Sequence, residues 1–189
     1  MLFVTISLRG SLMPMIAMKT HLERMALAMA DELIADIRIA DPAWESWQND
    51  LDAFVSNVLT TASGETGQGG QIDLLLTGDD EIHELNRQWR DKDKPTDVLS
   101  FPSDEFAEPG FLGDIAISMG VMIRDAEKMK KDPKDHFSHL LVHGYLHLLG
   151  YDHQVDDEAD EMEGLEVRIL AELGISNPYF LGSDTGKVS

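Results

Sequence analysis

The stretch from Asp135 to Leu149 constrains this 189-residue chain more than any other. Leu140, Leu141, Val142, Tyr145, Leu146, Leu148 and Leu149 cover most of the circumference of a helix, so the helix must be buried on nearly every side. Other elements then have to be laid around it. Yet the same helix carries His139, His143 and His147. Burying several imidazoles costs free energy unless each is satisfied, and a metal ion satisfies them.

Two His four residues apart share one helix face, about one turn apart, and can meet a single ion. Gly150 predicts a left-handed residue that ends the helix and turns the chain back, which brings His153 round to the same point. Three neutral nitrogens with a fourth position open are the arrangement of a catalytic zinc site. A closed structural site would need a fourth protein ligand, usually Cys, and the chain has none. The expectation is one zinc ion per chain on His143, His147 and His153. His139 extends the stripe one turn upstream as an extra ligand, a partner of a ligand or a packing residue. His136 reads as a solvated or capping residue at the helix start.

The spacing H-x-x-x-H-x-x-G-x-x-H is also that of the metzincin peptidases, which place Glu directly after the first His as general base. Position 144 is Gly, so the ligand spacing matches and the base is missing. Glycine in a helix interior costs about 1 kcal/mol relative to Ala. Its presence predicts that another chain segment or a substrate approaches the backbone there.

Three stretches together resemble the YbeY family of bacterial endoribonucleases. HGYLHLLGYDH (143–153) is similar to the family's H-G-x-L-H-L-x-G-Y-D-H signature. NRQWRDKDKPTDVLSFP (86–102) resembles its N-x-x-x-R-x-K-D-K-P-T-D-V-L-S-F-P block, and LGDIAIS (112–118) its L-G-D-I-x-I-S strand. The resemblance covers roughly residues 33 to 175. It implies zinc on His143, His147 and His153, and a functionally important Arg at Arg90. It also implies single-strand-specific cleavage of ribosomal RNA, at the 3′ end of the 16S species, in ribosome maturation and quality control.

Length suits one domain that buries a substantial core without disulfides. Residues 1–30 read as an N-terminal extension or an over-extended gene start, with Met18, Met25 or Met29 as the true beginning. The start is apolar, but no basic region precedes its apolar stretch, and Arg9 interrupts it. Residues 31–175 form the single expected domain, and 176–189 a tail. Absence of Cys fits a reducing cytoplasm. No apolar run approaches the length needed to span a bilayer, so a membrane is not an expected partner.

The formal net charge of −20 is unusual for a chain expected to meet RNA, since polyanions repel. Its distribution is uneven. Nine of the fifteen Lys and Arg lie between Arg87 and Lys134 against ten acids, so that window is nearly neutral. The acids are thickest from Asp156 to Glu163, which reads as a solvated helix face with acids placed near a helix N-terminus. The functional alternative is that this strip rejects non-specific RNA. The expected partners are single-stranded ribosomal RNA and the ribosomal particle or its proteins, not DNA.

Strands are predicted at Leu33 to Ile39, Ile72 to Thr77, Val98 to Phe101 and Leu112 to Met119. Helices are predicted from Ala43 to about Ala62, from Asp79 or Asp80 (as cap) to about Trp89, near 120–131, at 135–149, and from Asp156 to Leu173. Gly64 to Gly70 reads as a plain connector, and 103–111 as an acidic loop. Four strands and about five helices give an α+β domain. Resemblance adds that the sheet is small and mixed, with the metal helix packed on it.

An ion at the triad lowers the pKa of water and polarises a phosphoryl oxygen. Arg90 is the candidate phosphate clamp, because a planar guanidinium matches two phosphate oxygens. Its bland alternative is an exposed ion pair with an acid such as Asp93. Asp152 is the second catalytic candidate, as general base or as a residue orienting an imidazole, against a plain turn role. Two rival functions stand beside the endoribonuclease. One is a metzincin-like metallopeptidase, which Gly144 disfavours. The other is a ribosome assembly factor with a structural metal, which an open metal position disfavours.

Overall fold

The computed structural model describes residues 33–104, 109–153 and 155–180. The expected 1–30 extension, part of the acidic loop and the end of the tail lie outside them. Four strands form one sheet: β1 (Leu33–Ile39), β2 (Gly70–Thr77), β3 (Val98–Pro102) and β4 (Phe111–Ser118). Their order is β1-β2-β4-β3. β1 and β2 pair in parallel, as do β2 and β4, and β3 runs antiparallel to β4 along the edge. The sheet is therefore small and mixed, as expected.

Among the described residues, six helices surround it: α1 (Ala43–Trp47), α2 (Leu51–Thr66), α3 (Asp79–Arg90), α4 (Met119–Met129), α5 (Pro133–Leu148) and α6 (Asp156–Glu172). The extra helix arises because the expected 43–62 helix is two. Gln48 is extended, and Asp50 starts a new helix by accepting from the Ala53 amide at 3.1 Å. Local side-chain capping outweighs the continuous apolar spacing there. α2 then runs through Gly64 to Thr66 and ends at left-handed Gly67, and Gly70 already starts β2, so the expected connector shrinks to residues 67–69. α3 also departs from expectation. Gly78 occupies its cap position, and Asp79 instead accepts from Ser118 Oγ at 2.7 Å and pairs with Arg124 at 2.6 Å.

α5 is central, as its apolar circumference requires. It contacts β3, β4, α2, α4 and α6. Ile72, Leu74, Leu76, Ile115 and Ile117 form the sheet floor beneath it, and all are fully buried. Each such side chain contributes about 1.5–3 kcal/mol on burial. Gly144 is where α5 meets the floor. A Cβ there would lie 3.1 Å from Ile115 Cδ1 and 3.1 Å from Ser100 Oγ. The predicted close approach is thus made by β3 and β4.

Candidate metal centre

α5 opens at Asp132, whose carboxylate accepts from the Lys134 amide at 2.8 Å, with Pro133 in the first turn. It closes on Gly150 (φ +90°). The Gly150 amide donates to His147 O and the Tyr151 amide to Leu146 O, each at 3.1 Å. These two bonds are those of a Schellman cap, which reverses the chain. The reversal brings His153 back over the helix end, as the sequence predicts. Ring centroids are 4.5 Å apart for His143 and His147, 5.2 Å for His147 and His153, and 5.4 Å for His143 and His153. One nitrogen from each ring lies within 4.8 Å of the others. His143 and His147 are half-buried, and His153 is exposed.

The partners of these rings fix where their protons sit. His147 Nδ1 lies 2.9 Å from Tyr151 O, which can only accept, so Nδ1 donates. His143 Nδ1 lies 2.8 Å from Glu166 Oε1 and donates likewise. Burial, then the neighbouring His143, hold His147 below the usual imidazole range, so its ring is neutral at neutral pH. His147 Nε2 therefore presents a lone pair, and it faces His143 Nε2 at 3.1 Å; with both rings neutral, each Nε2 presents one. Two facing lone pairs repel unless a cation lies between them. Nitrogens bound tetrahedrally to zinc at ~2.0–2.1 Å stand about 3.3 Å apart. The donor set fits zinc. The triad can coordinate one metal ion, consistent with a single zinc site.

Glu166 is the residue that sequence reasoning missed. It is fully buried on α6 and accepts from His143 Nδ1 at 2.8 Å, from His139 Nε2 at 3.0 Å and from the Tyr179 hydroxyl. Burial by itself would raise its pKa. The hydrogen bonds from His139 and His143, the charge of His139 and the Tyr179 hydroxyl outweigh burial and bring it down to about 2. A carboxylate held in this way fixes the tautomer of His143 and strengthens its ligating nitrogen. The available signal was position: Glu166 lies four residues after Met162 and three before Ile169, on the buried stripe of α6. His139 resolves as a donor to Glu166 rather than to the ion.

His136 corrects an expectation. It is 3 % exposed, not solvated, and the helix cap is Asp132. Its two ring nitrogens, and Nδ1 of His139, make no hydrogen bond within the described protein. Burial, and next the charge of His139, lower its pKa to about 4.

Arg90 ends α3, and its Nη2 donates to Ser100 O at 3.0 Å. Asp93 pairs with His83 at 2.7 Å instead, so the considered Arg90–Asp93 pair does not form. Ser100 Oγ lies under Gly144, so the Arg90 anchor and the metal helix meet at the same strand residue. Asp152 Oδ1 accepts from the His153 amide at 2.7 Å. The hydrogen bonds that orient His143 and His147 come from Glu166 and from Tyr151 O. Asp152 also lines an open polar pocket with Thr66, Gln68, Glu158 and Glu161. Asp157, Glu158, Asp160 and Glu161 are exposed, as a solvated face requires.

The peptidase alternative fails on the same geometry, because position 144 has no side chain and packs against the sheet.

Comparison with known proteins agrees with the site. The family model described as "Endoribonuclease YbeY" matches residues 37–174. Proteins of that name from Allorhizobium ampelinum and Agrobacterium fabrum are 45% and 47% identical, in each case over 76% of this chain and 94% of the relative. One from Azorhizobium caulinodans is 41% identical over 79% of this chain and 98% of its own length. A solution structure of a Thermotoga maritima protein superposes with a TM-score of 0.51 at 26% identity, covering 82% of this chain and 100% of that one. With the triad, the mixed sheet and the buried metal helix all in place, the chain belongs to the YbeY endoribonuclease family.

Proposed function

We propose that the His143, His147 and His153 centre cleaves the backbone of single-stranded ribosomal RNA, at the 16S 3′ end, with Arg90 as phosphate clamp and Asp152 as proton acceptor. As a YbeY-family member the chain is a metal-dependent endoribonuclease acting in ribosomal RNA maturation and ribosome quality control. The observation that carries the reading is the pair of Nε2 atoms facing each other at 3.1 Å beside a third imidazole. When bound there, zinc supplies a Lewis acid for a phosphoryl oxygen and lowers the pKa of nearby water.

The chain's own residues do the rest. Glu166 and Tyr151 O hold two rings with Nε2 inward. Arg90 spends one donor on Ser100 O and offers the remaining fork to a phosphate. Asp152 sits one residue before the third ligand, on a polar rim where it can take a proton from an attacking oxygen. Four bases of the near-neutral window are engaged internally: Arg87 by Glu84, Arg124 by Asp79, Lys128 by Asp125, and Lys131 by the Pro178 carbonyl. Five remain, Arg90, Lys92, Lys94, Lys130 and Lys134, and we assign phosphate contact to the three that follow one another at the end of α3, Arg90, Lys92 and Lys94.

A chain at −20 gains little from long-range attraction to free RNA. We therefore assign efficient action to RNA presented by the ribosomal particle or its proteins, which places the protein in the cytoplasm. Among the described residues, no helix is long and apolar enough to cross a membrane.

The test uses protein purified without a metal-affinity tag, offered defined single- and double-stranded RNA with and without chelator, beside His147→Ala. Single-stranded cleavage that chelator abolishes and zinc restores is expected. Cleavage that survives both chelation and His147→Ala sinks the reading.

A further inference from the structure

The residue that completes the surroundings of Glu166 comes from beyond the stretch matched by the family model, which ends at 174. α6 closes on Gly174 (φ +76°) with the same pair of bonds that ends α5: Gly174 N–H to Ala171 O at 2.9 Å and Ile175 N–H to Leu170 O at 2.8 Å. The following residues are tied back to the domain. Asn177 Oδ1 accepts from the Tyr179 amide at 2.8 Å, and Lys131 Nζ donates to Pro178 O at 2.8 Å. The Tyr179 ring meets His139 edge-on, with centroids 5.7 Å apart, and its hydroxyl donates to Glu166 Oε2.

We propose that Tyr179 is a positioning residue of the metal centre, acting through Glu166 to hold His143 with Nε2 toward the ion. The inference rests on the reading that the triad holds zinc. Its physical basis is a count of restraints. The last torsion of a Glu side chain is broad, so a buried carboxylate needs its plane fixed by donors. Oε2 has two, His139 from α5 and Tyr179 from the segment after α6, and they leave Oε1 for His143 Nδ1. Without the hydroxyl, Oε2 keeps His139 alone, the carboxylate plane loosens, and the His143 ring loosens with it. Lys131 acts one step further out, by anchoring the segment that carries Tyr179.

The test is Tyr179→Phe in the full chain, which keeps the ring against His139 and removes only the donor. Zinc affinity is read by competition with a chromogenic chelator. The ligand-field absorption of the cobalt-substituted protein and the unfolding midpoint of the metal-free protein are read beside it. Zinc binding about tenfold weaker is expected, the low end for loss of an outer partner, with a shifted cobalt band and an unchanged metal-free midpoint. Because Tyr179 acts through Glu166, adding Tyr179→Phe to Glu166→Gln should weaken zinc no further. A wild type that binds no zinc sinks the triad reading and this inference with it. A zinc-binding wild type whose Tyr179→Phe variant has equal affinity and an identical cobalt band sinks this inference alone, as does full additivity with Glu166→Gln.

Discussion

The two faces of the sheet are covered unequally. On one, Ile72, Leu74, Leu76, Ile115 and Ile117 lie sealed among α2, α5 and α6. On the other, among the described residues, α3 alone closes, packing its Ile82 over Leu99 and Ala116. Beyond it, Leu75, Phe101 and Trp89 line an open groove with Asp36, Asp73 and Asp114, and Trp89 remains 62 % exposed. Those three aspartates stand at paired register positions across β1, β2 and β4. Burial, then the charge of Asp73, hold the Asp114 carboxyl above its usual range. Two of the metal ligands, His143 and His147, grow from the helix on the sealed face, where packing leaves a ring little freedom. Arg90, the proposed phosphate clamp, grows from the lightly packed face and reaches the boundary only at its tip, on edge strand β3.

That contrast separates chemistry from stability. Arg90→Ala should keep fold and zinc while cleavage falls about 100- to 1,000-fold, by analogy with loss of an oxyanion donor at about 2.7–4 kcal/mol. Arg90→Lys should recover part, since an ammonium lacks the fork. Single-turnover cleavage beside zinc titration measures both. Equal cleavage by Arg90→Ala would move the clamp to Lys92 or Lys94. Core truncation should show the opposite pattern. Leu141→Ala on α5 should cost about 3 kcal/mol, and Leu85→Ala on α3 about 1 kcal/mol or less. Urea unfolding of the two variants decides, and equal losses would show the faces to be equally packed.

Zinc removal sharpens the comparison from the ligand side. At a free concentration one hundred times its Kd, zinc should stabilise the fold by about 2.7 kcal/mol, and chelation should remove that increment. The loss should vanish in His147→Ala. Calorimetry with and without chelator reads it. Acid should expose a further weakness of the sealed face. His136 is neutral in the fold, with its pKa lowered to about 4, and takes a proton more readily once unfolded. Its contribution is present above pH 6.5 and drains away as pH falls toward 4, on the order of 3 kcal/mol. Denaturation of metal-free protein across that window should show the limb, and His136→Leu should flatten it. An unchanged slope in His136→Leu would assign the limb to another group. The smallest effect belongs to the exposed acids. Neutralising Asp157, Glu158, Asp160 and Glu161 together should raise non-specific RNA binding a few-fold at low salt, and the gain should disappear as salt rises. Fluorescence anisotropy across a salt series would follow it; no change would leave these acids as a solvated face only.

The sequence made local features legible and hid those that depend on distant partners. Spacing within 143–153 gives the triad and its turn because helix period and glycine conformation act over a few residues. Gly144 announces its contact through a propensity penalty that needs a reason. The break at 48–50 was hidden because capping by Asp50 competes with an unbroken apolar pattern. His136 looked solvated from its place in the first turn of α5. Its environment is set by residues elsewhere, among them Lys131, Asp125 and Asp97, which lie close enough to act on it. Glu166 was hidden twice, by its 23-residue separation from His143 and by the run of exposed acids before it.

The hydrogen bond from His147 Nδ1 to Tyr151 O spans four residues. It makes the second ligand the fastener of the turn that delivers the third, so ring orientation and chain path become one variable. The first ligand has no such local fastener and draws its partner from another helix. The motif is therefore only half portable. Grafted onto another buried helix, residues 143–153 would carry the geometry of two ligands with them. They would leave the first, His143, untethered unless an acid in the place of Glu166 travelled too.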